Sequence, residues 1–226
     1  LNYPNAPSVS DIVEYLNKLD ESHIVLGYGS LLSRDSRERY SQINTLGIPV
    51  MVSGFERAWV TRSIQEQQTY VGAIKNSSKK LNAQLIPTQL NPALQEREKD
   101  YRFTQVSADQ ITFDLATHSQ SNLKTGAQLD ELYEVLSAYH LWVCETLECS
   151  PATEAFPVSQ TYIDTCLAGC IEHAGEKAAR DFIVHTSMWD HPRINDRALP
   201  KYPRAAKVSA DMHEKIDAVL AATLSQ

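Results

Sequence analysis

Six residues near the start of the chain, Leu26-Gly27-Tyr28-Gly29-Ser30-Leu31, constrain the fold most. The apolar run that leads into them, Ile24-Val25-Leu26, reads as a buried strand. A buried strand that meets Gly-x-Gly-Ser has to turn at once. Backbone N–H groups at such a turn stand close together and point outward, a natural nest for a carboxylate or another anionic oxygen. An ordinary strand-to-loop turn is spelled the same way, so the motif gains weight only in the company of other residues.

The rest of the sequence sets the bounds. The chain has 226 residues, 42% hydrophobic and 22% charged, which is ordinary for a globular protein with a sizeable core. It reads as a single α+β domain over 1–226, a central β-barrel or twisted sheet with flanking helices, its core about 22–178 and a helical C-terminal extension about 179–226. A net charge of −7 argues against broad nucleic-acid binding. No apolar stretch is long enough for a membrane span. Four cysteines, Cys144, Cys149, Cys166 and Cys170, are too few for a disulfide scaffold and fit reduced thiols in the cytoplasm. Cys166 and Cys170 share a helix face and could chelate a metal with His173 or His191, but small buried apolar side chains are the simpler reading.

Along the chain, Ser10 reads as the N-cap of an amphipathic helix over 11–20. Ser33 to Tyr40 reads as a solvent-facing loop or short helix, and 48–62 as strand, with Gly54 at a turn or bulge. Tyr70–Ile74 and Leu81–Ile86 are expected to form a hairpin about Asn76-Ser77-Ser78-Lys79, and Gly72 marks a bulge or a close backbone approach. A short helix over 90–99, a strand over Tyr101–Val106, loop over 107–130 and a strand over Tyr139–Cys144 follow, with 131–137 ambiguous. Helices are expected over 159–174, 178–185 and 209–224, with irregular, Arg- and Pro-rich chain over 188–206.

A second element sits at the end of the short helix: Glu96-Arg97-Glu98-Lys99-Asp100-Tyr101. Alone it reads as a salt-bridged surface. Paired with the turn, it offers an anion nest and a lone carboxylate, parts that amide chemistry can use. Glu98 and Glu96 are rival candidates for that carboxylate.

These residues resemble the γ-glutamylcyclotransferase-like superfamily. The resemblance rests on Tyr28-Gly29-Ser30-Leu31 after an apolar strand, on Arg97-Glu98 followed by Tyr101, and on Pro157-Val158-Ser159-Gln160-Thr161-Tyr162 with Gly169 further on, all within 24–174. Leu31 stands where many members have Asn, which is closer to the ChaC-type branch, although the Trp common there is replaced by Leu32-Ser33. The segment Leu81–Ile86 lacks the usual Gly and Tyr, and 180–226 lies outside the shared pattern. The resemblance implies a cyclotransferase-like fold and release of 5-oxoproline from a small γ-glutamyl amide or peptide, with Glu98 as acid and base. It implies substrate contacts from Tyr28, Gly29, Ser30, Leu31, Tyr101 and Tyr162, and no metal or organic cofactor is needed. A relative acting on another amide or amine, and a non-catalytic ligand- or partner-binding module, are the alternatives. Arg193, Arg197 and Arg204 in the extension offer either a lid that meets a second carboxylate or a structural wrap pairing with Asp190, Asp196 and helix C-termini.

Overall fold

The structure, a computed structural model, describes residues 7–115 and 126–225. Its centre is a seven-stranded mixed sheet in the order β4-β6-β1-β3-β2-β5, with β8 added to β2. The strands are β1 (His23–Gly27), β2 (Ile48–Ser63), β3 (Gln68–Thr88), β4 (Tyr101–Gln105), β5 (Ile111–Phe113), β6 (His140–Thr146) and β8 (Thr186–Ser187). β7 (Val158–Ser159) and β9 (Arg193–Ile194) make a separate parallel pair. The sheet curls but does not close, so the twisted sheet is the architecture found and the barrel is not.

Two long strands, β2 and β3, form one bent antiparallel ribbon. The bend lies at a bulge between Ser53 and Phe55, where Gly54 takes φ +90°. The expected hairpin about 76–79 is not there. That stretch runs on as exposed β3, and both halves of β3 pair with β2. The real turn spans 64–67, with Gln67 at φ +53°. Glutamine rarely takes that conformation and leaves no Gly or Asn signature to read. Gly72 is a close-approach site, since a Cβ there would lie 2.2 Å from Thr61 Oγ1.

Helices cover the sheet. α1 (Val9–Asn17) starts earlier than expected, because Ser8 and Asp11 form a reciprocal capping box and Ser10 lies inside the helix. The Ser33–Tyr40 region is α2 (Arg34–Ser41), capped by Ser33, and its Arg37 is fully buried rather than solvent-facing. α3 (Pro92–Arg97) starts from the Asn91 side chain, which accepts from Leu94 N at 2.9 Å, with Pro92 in the first turn. The ambiguous 131–137 belongs to α4 (Gly126–Ser137), and 108–113 holds a 3₁₀ turn and β5 where loop was expected; 116–125 lies outside the described residues. α5 (Gln160–Val184) breaks at Gly175, which has φ +74°, and α6 (Ala210–Leu224) closes the chain. Among the described residues, no helix is long and apolar enough to cross a membrane. Cys144, Cys166 and Cys170 are buried and Cys149 is exposed.

α5 lies directly on the chain that follows the Tyr-Gly-Ser turn. A Cβ on Gly169 would stand 2.4 Å from both the carbonyl carbon and oxygen of Leu32, and 2.6 Å from Ser33 N. The neighbours are backbone, so no side-chain rotation relieves the clash. Gly169→Ala is therefore expected to destabilise the fold by about 3 kcal/mol, read as a lower urea midpoint with an unchanged m-value.

Candidate active site

β1 ends at Gly27, and the chain enters a 3₁₀ turn over Ser30–Leu32. The N–H groups of Gly29, Ser30 and Leu31 make no hydrogen bond among the described residues, as expected for the first turn of a helix. Tyr28 turns inward, and its ring fills the space where β1 has stopped. Its hydroxyl accepts from Ala73 N at 2.9 Å and donates to the Cys144 carbonyl, pinning β3 to β6. That hydroxyl is thus committed to backbone, and Tyr28 lines the site with its ring and main chain.

Glu98 is the C-cap of α3, with its N–H on the Leu94 carbonyl at 3.0 Å and its own carbonyl accepting from Tyr101 N at 3.0 Å. These bonds set its side chain, 8% exposed, in the lining of a narrow pocket with about 30 Å³ of free space. The same pocket is lined by Tyr28, Gly29, Ser30, Leu31, Tyr101 and Tyr162, so the structure brings all seven expected site residues together. Tyr162, in the first turn of α5, stacks on Tyr70 at 4.6 Å between ring centres. Its hydroxyl lies so close to the turn that a Cβ on Gly29 would meet it at 2.7 Å. The Tyr101 hydroxyl donates to the Val71 carbonyl at 2.7 Å.

Arg97 fixes the two halves to each other. It is 6% exposed and spreads its Nη atoms over Ser30 Oγ, Ser36 Oγ and Ser41 Oγ, each at 2.9 Å, and the Ser36 carbonyl at 3.2 Å. Its Nε lies 3.9 Å from Glu98 Oε1, too far for a hydrogen bond. Burial pushes the Glu98 carboxyl above its ordinary value of 4.5, and the attraction of Arg97 and Arg204 offsets this only in part. Burial also raises the phenols of Tyr28, Tyr101 and Tyr162 far above neutrality, so they stay protonated.

The fold is similar to that of a solved structure. A solved structure described as a γ-glutamyl cyclotransferase superposes with a TM-score of 0.51 at 12% identity, over 88% of this chain and 99% of that one. The chain has the γ-glutamylcyclotransferase-like fold. YkqA from Bacillus subtilis gives a TM-score of 0.49 at 13% identity, over 79% of this chain, which spans 58% of YkqA's length. An uncharacterised Homo sapiens protein gives 0.47 at 12% identity, over 88% and 99% of the two chains. No family model matches the sequence, and no curated protein matches it.

Within this cyclotransferase-like fold, Glu96 is exposed, paired with Lys99 at 3.0 Å, and outside the pocket. The second carboxylate in the pocket is Asp100, which burial also pushes up. His191 pairs with Asp190 at 2.9 Å and does not line the pocket. The wrap of the extension uses other partners than expected. Arg197 binds Asp164 at 2.8 Å and Asp217 at 2.7 Å, while Asp196 caps α5 by accepting from Thr161 N at 2.9 Å. Tyr70, Tyr202 and Arg204 also line the pocket; of these, the sequence marked Arg204 through its Arg- and Pro-rich segment and did not mark Tyr70. Arg57 carried a readable signal: it alternates with Phe55 and Trp59 on the inward face of β2.

A carboxyl raised by folding binds its proton more tightly folded than unfolded. Glu98 therefore favours the fold at low pH, and that contribution is lost as pH rises above about 4.5. Glu98→Gln should match wild type in melting temperature near pH 4 and exceed it increasingly toward pH 8; equal melting temperatures across the range would contradict the burial assigned to Glu98.

Proposed function

We propose that this chain is a γ-glutamyl cyclotransferase, releasing 5-oxoproline and an amine from a small γ-glutamyl amide or peptide. One observation carries the reading. A buried carboxyl with a raised pKa, Glu98, shares a pocket with three unbonded N–H groups on the Gly29–Leu31 turn.

The chemistry follows from the parts. In a γ-glutamyl compound the α-nitrogen is placed to attack its own γ-carbonyl carbon and close a five-membered ring. The α-nitrogen must lose a proton to attack, and the amide nitrogen must gain one to leave. Glu98 takes the first proton and delivers it to the departing nitrogen, so one N–C bond forms, one breaks and no water is consumed. A carboxyl above 4.5 is matched to both halves of that exchange better than an ordinary one. As the carbonyl becomes tetrahedral, its oxygen gains charge, and the N–H groups of Gly29, Ser30 and Leu31 would receive it. Tyr162, protonated and standing over Gly29, and Tyr101 would orient the glutamyl group. The buried free thiols fit a reducing compartment such as the cytoplasm.

Incubation with glutathione and simple γ-glutamyl dipeptides, with 5-oxoproline read by mass spectrometry, tests this. Product is expected from at least one of them, and none from any would overturn the proposal. Glu98→Gln should cut kcat/KM by roughly 100-fold or more, and the acid limb of the wild-type pH profile should lie above 4.5.

A further inference from the structure

We infer that Asp100 is a second proton carrier of the pocket: it receives the α-ammonium of the γ-glutamyl substrate and takes the first proton from it. The inference rests on the cyclotransferase reading of the same pocket. A count of protons calls for it. Near neutral pH the α-nitrogen arrives as an ammonium with three N–H bonds, since an α-amine titrates at about 8. In 5-oxoproline it keeps one. The departing nitrogen starts with one N–H and leaves as an ammonium with three. Two protons therefore cross from one nitrogen to the other, and Glu98 accounts for the one that attack releases.

Elimination among the described residues that line the pocket leaves one candidate for the other. Burial holds the phenols of Tyr28, Tyr70, Tyr101 and Tyr162 and the thiol of Cys144 in their protonated forms, so they do not accept a proton. The Tyr202 hydroxyl donates to Ser30 Oγ at 2.6 Å. Arg97 and Arg204 are cations. The two carboxyls of the lining remain, Glu98 and Asp100. One short stretch of backbone places both. Glu98 caps α3, Tyr101 opens β4 against β6, and the Asp100 carbonyl between them accepts from Leu147 N at 3.4 Å. Lys99, between the two acids, is exposed and held by Gln65 at 2.7 Å and Glu96 at 3.0 Å, away from the pocket. The Asp100 carboxylate makes no hydrogen bond or ion pair among the described residues, so it is available to a ligand cation.

The charges around Asp100 have mixed signs. Lys99 and Arg204 attract its anion, while Glu66, Glu96 and Glu98 repel it, and burial pushes the carboxyl above its ordinary value of 3.8. A carboxyl in that setting holds a proton it has taken better than an exposed one does. The charge of Asp100 also pushes Glu98 up, so an ammonium bound beside the two acids relieves both. The steps balance. The α-ammonium gives one proton to Asp100. The free amine attacks the γ-carbonyl carbon, forming the N–C bond, and Glu98 takes the proton that attack releases. Glu98 hands it to the amide nitrogen as the C–N bond breaks, and Asp100 returns the first proton to the departing amine. Both carboxyls end as they began, and neither water nor an external acid is consumed.

The test is the pH profile of kcat/KM for 5-oxoproline release in wild type, Asp100→Asn and Asp100→Glu, with glutathione or the simple γ-glutamyl dipeptide that is turned over fastest. Wild type should stay level from about pH 8 down to about pH 6, because it uses the ammonium. Asp100→Asn is left with the free amine, whose share falls tenfold per pH unit below about 8. It should trail wild type by about 100-fold near pH 6, about tenfold near pH 7 and little near pH 9. Asp100→Glu should regain part of the loss near pH 7. A loss in Asp100→Asn that is the same at every pH, as a structural role predicts, overturns the inference, and so does no loss at all. A wild-type profile that already falls tenfold per unit below about pH 8 overturns it too, and that measurement stands even if Asp100→Asn folds poorly. The cyclotransferase reading survives each of these results. No 5-oxoproline from wild type with any of the compounds overturns that reading and this inference with it.

Discussion

The guanidinium of Arg57 is the constraint on which the site depends. It is fully buried, and among the described residues no carboxylate pairs with it. It donates to the Tyr28 carbonyl at 3.0 Å, to the Asn82 carbonyl and side chain at 2.9 and 2.6 Å, to the Phe182 carbonyl at 3.0 Å and to Thr186 Oγ1 at 2.7 Å. It also lies over the Phe182 ring, 3.8 Å from its centre. Burial lowers its pKa to about 10, which leaves it charged at neutral pH. The consequence for the turn is geometric. A trans peptide unit points its C=O and N–H in opposite directions. Holding the Tyr28 carbonyl on Arg57, at the back of the turn, sends the Gly29 N–H the other way. The nest is therefore made by a cation behind it as much as by the glycines in it.

Arg97 repeats the device with a different purpose. Its Nη atoms are satisfied by three serine hydroxyls and one carbonyl, and its Nε stays 3.9 Å from Glu98. A bidentate pair at hydrogen-bond distance would hold Glu98 ionised and make it a poor proton carrier. Serine partners instead let Arg97 knit the turn, α2 and α3 together while burial keeps Glu98 above its ordinary pKa. The clustered serines Ser30, Ser33, Ser36 and Ser41 thus act as neutral acceptors and caps around a buried charge.

Much of this was legible in the sequence, for reasons that can be named. The Ile24–Leu26 run, the Gly-x-Gly-Ser turn, the short helix within 90–99 and the helix from Gln160 are local signals, and local chemistry decides them. The joining of these pieces into one site, Glu98 with Tyr101 and Tyr162 beside the turn, came from the family resemblance. What escaped was set by tertiary contact. The turn at 64–67 has no glycine, so the exposed polar stretch 76–79 drew the hairpin to itself. Glu96 rivals Glu98 in the sequence, and only the end of α3 decides that Glu98 lines the pocket and Glu96 does not. Tyr202 and Arg204 reach Ser30 and Glu66 across more than a hundred residues, where no periodicity connects them.

The central claim is that the Gly29–Leu31 turn holds the acyl group while Glu98 serves the nitrogen that leaves. A crystal structure with a glutaryl amide, which lacks the α-amine and cannot cyclise, tests it most directly. The account predicts the amide oxygen on the N–H groups of the turn and the Glu98 carboxyl within hydrogen-bond reach of the amide nitrogen. An acyl group bound in this pocket with Glu98 turned away from that nitrogen would contradict it.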